Sequence, residues 1–108
     1  MIAREWKCRC PLRHRDGFLR HLQATGVAET STLPGFAGYQ ILERECTDGV
    51  EVTLVTYWAS LQAITAFAGE EIGRAVLYPG DEAFEIVSET EVRHFRVLEA
   101  QWPAGESA

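Results

Sequence analysis

Polar and apolar positions alternate along residues 2–10. Ile2, Arg4, Trp6, Cys8 and Cys10 fall on one face, Ala3, Glu5, Lys7 and Arg9 on the other. A period of two is the mark of a strand. Pro11 closes it and sits where a helix can start. Over residues 12–25 the period lengthens. Phe18, Leu19 and Leu22 form an apolar stripe, and Asp16 and Arg20 are a favourable pair four apart. Gly17 weakens this helix relative to alanine, and Gly26 is its expected stop.

Residues 30–38 read as a loop turned by Pro34-Gly35. A strand over residues 39–46 and another over 50–58 flank Asp48-Gly49, the strongest short-range hairpin signal. Ser60 can cap a helix in which Leu61, Ile64, Phe67 and Ala68 share a stripe. Gly69 breaks that helix, and residues 70–76 are expected to resume it. Tyr78-Pro79-Gly80-Asp81 is a turn, and residues 91–98 alternate as a last strand. The order β-α-β-β-α-β predicts an α+β, ferredoxin-like domain: an antiparallel sheet with both helices on one face. The domain is expected over residues 1–98, with a polar tail over 99–108. The other sheet face still carries Val55 and Tyr57 and needs cover. A second copy is the expected cover, giving a dimeric α/β barrel. Trp102 is expected to clamp the neighbouring subunit.

Composition narrows the classes of function. A chain of 108 residues is one domain, and a net charge of -6 argues against a nucleic-acid partner. No apolar run approaches the roughly 20 residues of a membrane span. The N-terminus lacks a signal peptide's apolar stretch, so a cytoplasmic protein is expected. Cys8 and Cys10 lie about 6.5–7 Å apart on one face of an extended chain, at the edge of disulfide reach. Cys8, Cys10 and Cys46 leave at least one thiol unpaired, and reduced thiols are expected. No zinc-module spacing is present, so no metal site is expected.

At this point the residues match a known group. The segments LPGFAGYQIL (33–42), VTYWASLQAITAF (ending at Phe67) and EVRHFRV (91–97) resemble the antibiotic biosynthesis monooxygenase family of the dimeric α/β-barrel superfamily. The run FAGEEIGRAVLYPGDEAFEI is similar to that of a small subgroup within it. The resemblance covers residues 1–98. It implies either oxygenation of anthrone- or quinol-like substrates without metal or flavin, or haem degradation. The first uses an Asn and a Trp, the second an Asn, a Trp and a His. This chain contains no Asn, and Glu5, Phe67 and Leu77 stand near the haem group's Asn, Trp and His. The resemblance therefore implies no cofactor here.

Each candidate residue has a functional and a structural reading. His94, the one histidine on an expected strand, is either a general base or a hydrogen-bonded edge residue. Arg4 either holds an anionic or phenolate ligand or pairs with Glu43 or Glu45. Trp58, Trp6 and Phe67 either contact an aromatic ligand or pack the core. His14 and His21 read as a solvated helix flank with no acid beside them, Asp81 as a turn former, and residues 82–91 as a solvated acidic run. The expected function is a cofactor-independent monooxygenase acting on an aromatic polyketide or quinol, with His94 and Arg4 catalytic. The alternative is a homodimer that binds a small apolar or aromatic molecule without chemistry.

Overall fold

A computed structural model describes residues 1–102. The remaining tail, with Pro103 and Gly105, lies outside the described residues. Strand β1 (Ile2–Cys10) pairs antiparallel with β3 (Gly49–Trp58) over its full length, Arg4 opposite Thr56 and Trp6 opposite Leu54. Strand β2 (Phe36–Cys46) pairs with the far side of β3. The other edge of β1 is shared by two short strands. β4 (Val87–Ser88) covers its Cys8 end and β5 (Arg93–Arg96) its Ile2 end. The sheet order β2-β3-β1-β4, with β5 beside β1, is the expected ferredoxin-like order.

The hairpin turns through Thr47 and Asp48, and Gly49 opens β3 at φ +151°. A Cβ there would lie 2.3 Å from the Cys10 carbonyl oxygen, so only glycine fits. β2 starts three residues earlier than expected, at Phe36, because a bulge between Phe36 and Gly38 restores its register.

The first helix differs most from the pattern. A 3-10 turn (Leu12–His14) leads into α1 (Arg15–Leu22), a π-helical turn (Gln23–Val27) and α2 (Ala28–Thr30). Gly26 is not its stop. The chain runs on, and Thr30 Oγ1 donates to the Gly26 and Val27 carbonyls. Helix α3 (Leu61–Ala68) is capped as expected: the Ser60 hydroxyl accepts from Ala63 N at 3.2 Å, and Gly69 ends it at φ +84°.

Residues 70–76 do not resume the helix. Their backbone is claimed from outside: Ala75 N donates to Thr90 O, and Val92 N to Gly73 O. Glu91 bridges to Arg74, leaving β5 shorter than residues 91–98.

Both helices pack on one sheet face. Phe18 and Leu22 join Cys8, Cys10, Val50 and Val52 in the buried core. Ile64 and Trp58, both 0% exposed, fill the other end. Cys8, Cys10 and Cys46 are free thiols, and burial pushes Cys8 up to about 12, which makes it inert. The opposite face is mixed. By register it carries Ala3, Val55, Tyr57 and Phe95 beside Glu5, Lys7 and Arg93. Trp102 lies edge-on to Tyr57 of its own chain, with centroids 5.4 Å apart.

Among the described residues, no helix is long and apolar enough to cross a membrane.

Candidate functional site

Alternation along β1 sends Arg4 and Trp6 to the helix side together, as the pattern of residues 2–10 requires. Arg4 is 5% exposed. Its Nη1 donates to the Ile72 carbonyl at 2.5 Å and lies 2.9 Å from His94 Nε2, while Nη2 donates to the Arg74 carbonyl at 3.0 Å. A helix over residues 70–76 would take the Ile72 carbonyl for the residue 76 N–H, so the non-helical course of the segment and that bond to the buried arginine go together. Burial lowers Arg4 to about 10, with Tyr78 offsetting part of the shift, and the guanidinium stays charged at neutral pH.

Guanidinium has no acceptor, so His94 Nε2 must offer its lone pair. That fixes a neutral ring with its proton on Nδ1. Burial first, then the charge of Arg4, pushes the His94 pKa down, in agreement.

Among the described residues no carboxylate lies within ion-pair distance of Arg4. Glu43, one expected partner, is held by Arg15 at 2.5 Å, and Glu45, the other, makes no ion pair with Arg4. The ring of Phe67 lies beneath the guanidinium, 5.8 Å from ring centre to Cζ. Trp58 stacks on Phe67 at 5.7 Å, its Nε1 donating to Thr56 Oγ1 at 2.8 Å.

Arg4, Trp6 and Phe67 line one cleft between the sheet and the helices. Leu22, Thr25, Gly26 and Thr30 form its helical wall, with Val76, Tyr78 and Asp81 closing it. Its interior is about 50 Å³, and the open space including the mouth about 540 Å³. Trp6 Nε1 donates to Ser88 Oγ at 2.9 Å, which sets its ring. Tyr78 is pushed up to about 12 by burial and then by Glu29, so its hydroxyl keeps its proton.

The fold thus brings three expected site residues, Arg4, Trp6 and Phe67, to one cleft. Trp58 is behind them, with no exposed surface, and supports Phe67. His94 is outside the lining, with Arg4 between it and the cleft.

Asp81 is a turn former, accepting from Tyr78 N at 2.8 Å, but it is also, among the described residues, the one carboxylate on the cleft wall. Its other oxygen lies 2.6 Å from His21 Nε2. The flank reading of the helix histidines fails here. The fold carries Asp81 to His21 across 60 residues and Glu85 to His14 across 71. His21 is half-buried against Phe84, with centroids 5.1 Å apart. From the sequence Tyr78 and Asp81 read only as a turn and Gly26 as a helix stop, and Thr25 is not singled out; all four line the cleft, Gly26 and Thr25 from one turn of helix. The signal for the last two is local: a π turn, often found at functional sites, which the helical period conceals.

The donors do not fit a haem. Leu77 is 55% exposed and offers no ligand, and among the described residues no histidine lines the cleft.

A family model described as antibiotic biosynthesis monooxygenase matches residues 9–77. The chain belongs to the antibiotic biosynthesis monooxygenase family. Solved structures repeat the fold of this family member at low identity. The Streptomyces coelicolor monooxygenase from the gene ActVA-Orf6, in complex with Nanaomycin D, is 20% identical, covering 95% of this chain and 92% of that one at a TM-score of 0.62. The haem degrader MhuD of Mycobacterium tuberculosis is 18% identical, covering 94% and 100%, at 0.61. SnoaB, a cofactor-independent oxygenase from Streptomyces nogalater, is 17% identical, covering 97% of both chains, at 0.53. No curated protein matches the chain in sequence.

Proposed function

We propose that this protein is a homodimeric, cofactor-independent monooxygenase that oxidises an aromatic polyketide or quinol in the Arg4 cleft. One observation carries the reading: Arg4 is a buried cation with no carboxylate partner among the described residues. Two carbonyls and a neutral imidazole orient it without cancelling its charge. Such a group is set to receive an oxyanion. The names of two neighbours, the Nanaomycin D complex and the cofactor-independent SnoaB, support the same chemistry.

For an anthrone the steps are these. The ring system lies against Trp6 and Phe67, its oxygen toward Arg4. A proton leaves the methylene carbon for Asp81, and the enolate oxygen is stabilised by Arg4. The electron-rich carbon bonds dioxygen, and the resulting peroxide takes one proton. Loss of the second methylene proton cleaves the O–O bond. One oxygen atom stays as the new carbonyl, and the other leaves as water with both protons. Here His94 positions Arg4, and Trp58 positions Phe67.

The test is anthrone-dependent oxygen uptake by Arg4→Gln and Asp81→Asn. Loss of an oxyanion donor costs about 10²–10³-fold and of a proton acceptor about 10²–10⁴-fold. Turnover at the wild-type rate in both folded variants would refute the assignment.

The non-catalytic reading rests on a different observation. Both Asp81 oxygens and His94 Nε2 already have hydrogen-bond partners. It predicts aromatic binding with no oxygen uptake by the wild type.

A further inference from the structure

Gly26 is buried in the middle of the π-helical turn, on the cleft wall. Glycine in a helix interior is destabilising relative to alanine, so its presence needs a reason. Two common reasons fail. Gly26 is not among the positive-φ glycines, so its backbone suits any residue. Nor does another backbone approach it. Outside its own helix backbone, the three atoms nearest a Cβ there are side-chain atoms, Leu22 Cδ1 at 3.5 Å, Leu54 Cδ2 at 3.8 Å and Tyr78 Cε2 at 3.8 Å, all ordinary contacts.

The chain could therefore carry alanine without strain. What alanine would change is the cleft, because all three of those neighbours line it. Its methyl group would bridge the gap between Leu54 on the sheet and Tyr78 on the facing segment. In an interior of only about 50 Å³, that is a large intrusion.

We propose that Gly26 sets the width of the cleft, and that its missing side chain admits fused-ring aromatic ligands which alanine would exclude. The inference rests on the reading of this cleft as an aromatic-ligand site and adds the residue that fixes ligand size.

The test is Gly26→Ala, measured by equilibrium dialysis with alizarin, a fused-ring hydroxyquinone, and with phenol, alongside thermal melting. Alizarin binding should weaken about tenfold or more, as overpacking predicts. Phenol binding should stay within about twofold. The melting temperature should rise by roughly 2–6 °C, because the unfolded chain loses freedom and no native contact is strained. The opposed directions are the signature of space kept for a ligand. Unchanged alizarin binding would overturn the proposal. So would a lower melting temperature, since the methyl would then be meeting packed protein. If the wild type bound neither probe, the aromatic-ligand reading itself would fall, and this inference with it.

Discussion

Arg4 and His94 face each other across the β1–β5 ladder, Nη1 2.9 Å from Nε2, and the direction of that hydrogen bond assigns their roles. The arginine can only donate, so the histidine spends its lone pair on the arginine. In the proposed mechanism His94 therefore acts through Arg4 rather than on substrate. His94→Ala should lower turnover about tenfold or more by releasing Arg4. His94→Gln, whose amide oxygen can accept the same bond, should restore much of it. A proton acceptor would show no such rescue, since glutamine does not titrate. Steady-state kinetics of both variants with an anthrone separate the two roles.

The same pair makes stability depend on pH. His94 has its pKa lowered in the folded chain from the ordinary 6.5, first by burial and then by Arg4. The unfolded chain therefore takes up the proton first as the pH falls. The contribution is complete above the unfolded value and is lost as pH drops through 6.5 toward the folded value. Melting temperature should fall between pH 8 and pH 5, and the fall should be smaller in His94→Gln. An equal slope in both would place the pH dependence elsewhere.

The sheet face away from the helices gives a prediction about assembly. By register it carries Phe95, Ala3 and Tyr57 in one row, and Phe95 and Leu42 are each 48% exposed. A stable dimer through this face should bury on the order of 2,000 Å². Sedimentation should give a dimer at micromolar concentration, and Phe95→Glu combined with Leu42→Glu should give a folded monomer. A wild-type monomer would contradict the homodimer.

Haem should find no dedicated site. Phe67 and the exposed Leu77 provide no iron ligand. Titration should leave the Soret band without a stoichiometric shift, whereas a tight one-to-one complex with histidine ligation would contradict this.

How far the sequence could be read follows from the range of the interactions. Alternation in β1, the Asp48-Gly49 hairpin, the Ser60 cap and the Gly69 stop are local, and each was legible. The strand face shared by Arg4 and Trp6 was legible for the same reason. What failed was long-range. Residues 70–76 have helical character, yet pairing with residues 90–92 and the demand of Arg4 for carbonyls override it. Asp81 looks like a turn residue because it is one. Its place on the cleft wall beside His21 depends on a contact 60 residues away. Gly26 looked like a helix stop because its physical reason lies in the cavity, which no local pattern records.

The central claim is that a desolvated Arg4, without a carboxylate partner among the described residues, turns this cleft into an oxygenating site. An oxygen electrode tests it most directly, with purified, metal-free wild-type protein and an anthrone. The account predicts catalytic uptake of one dioxygen per quinone formed, abolished in folded Arg4→Gln. Uptake no faster than the protein-free reaction, with the anthrone demonstrably bound, would contradict it and leave a binding protein.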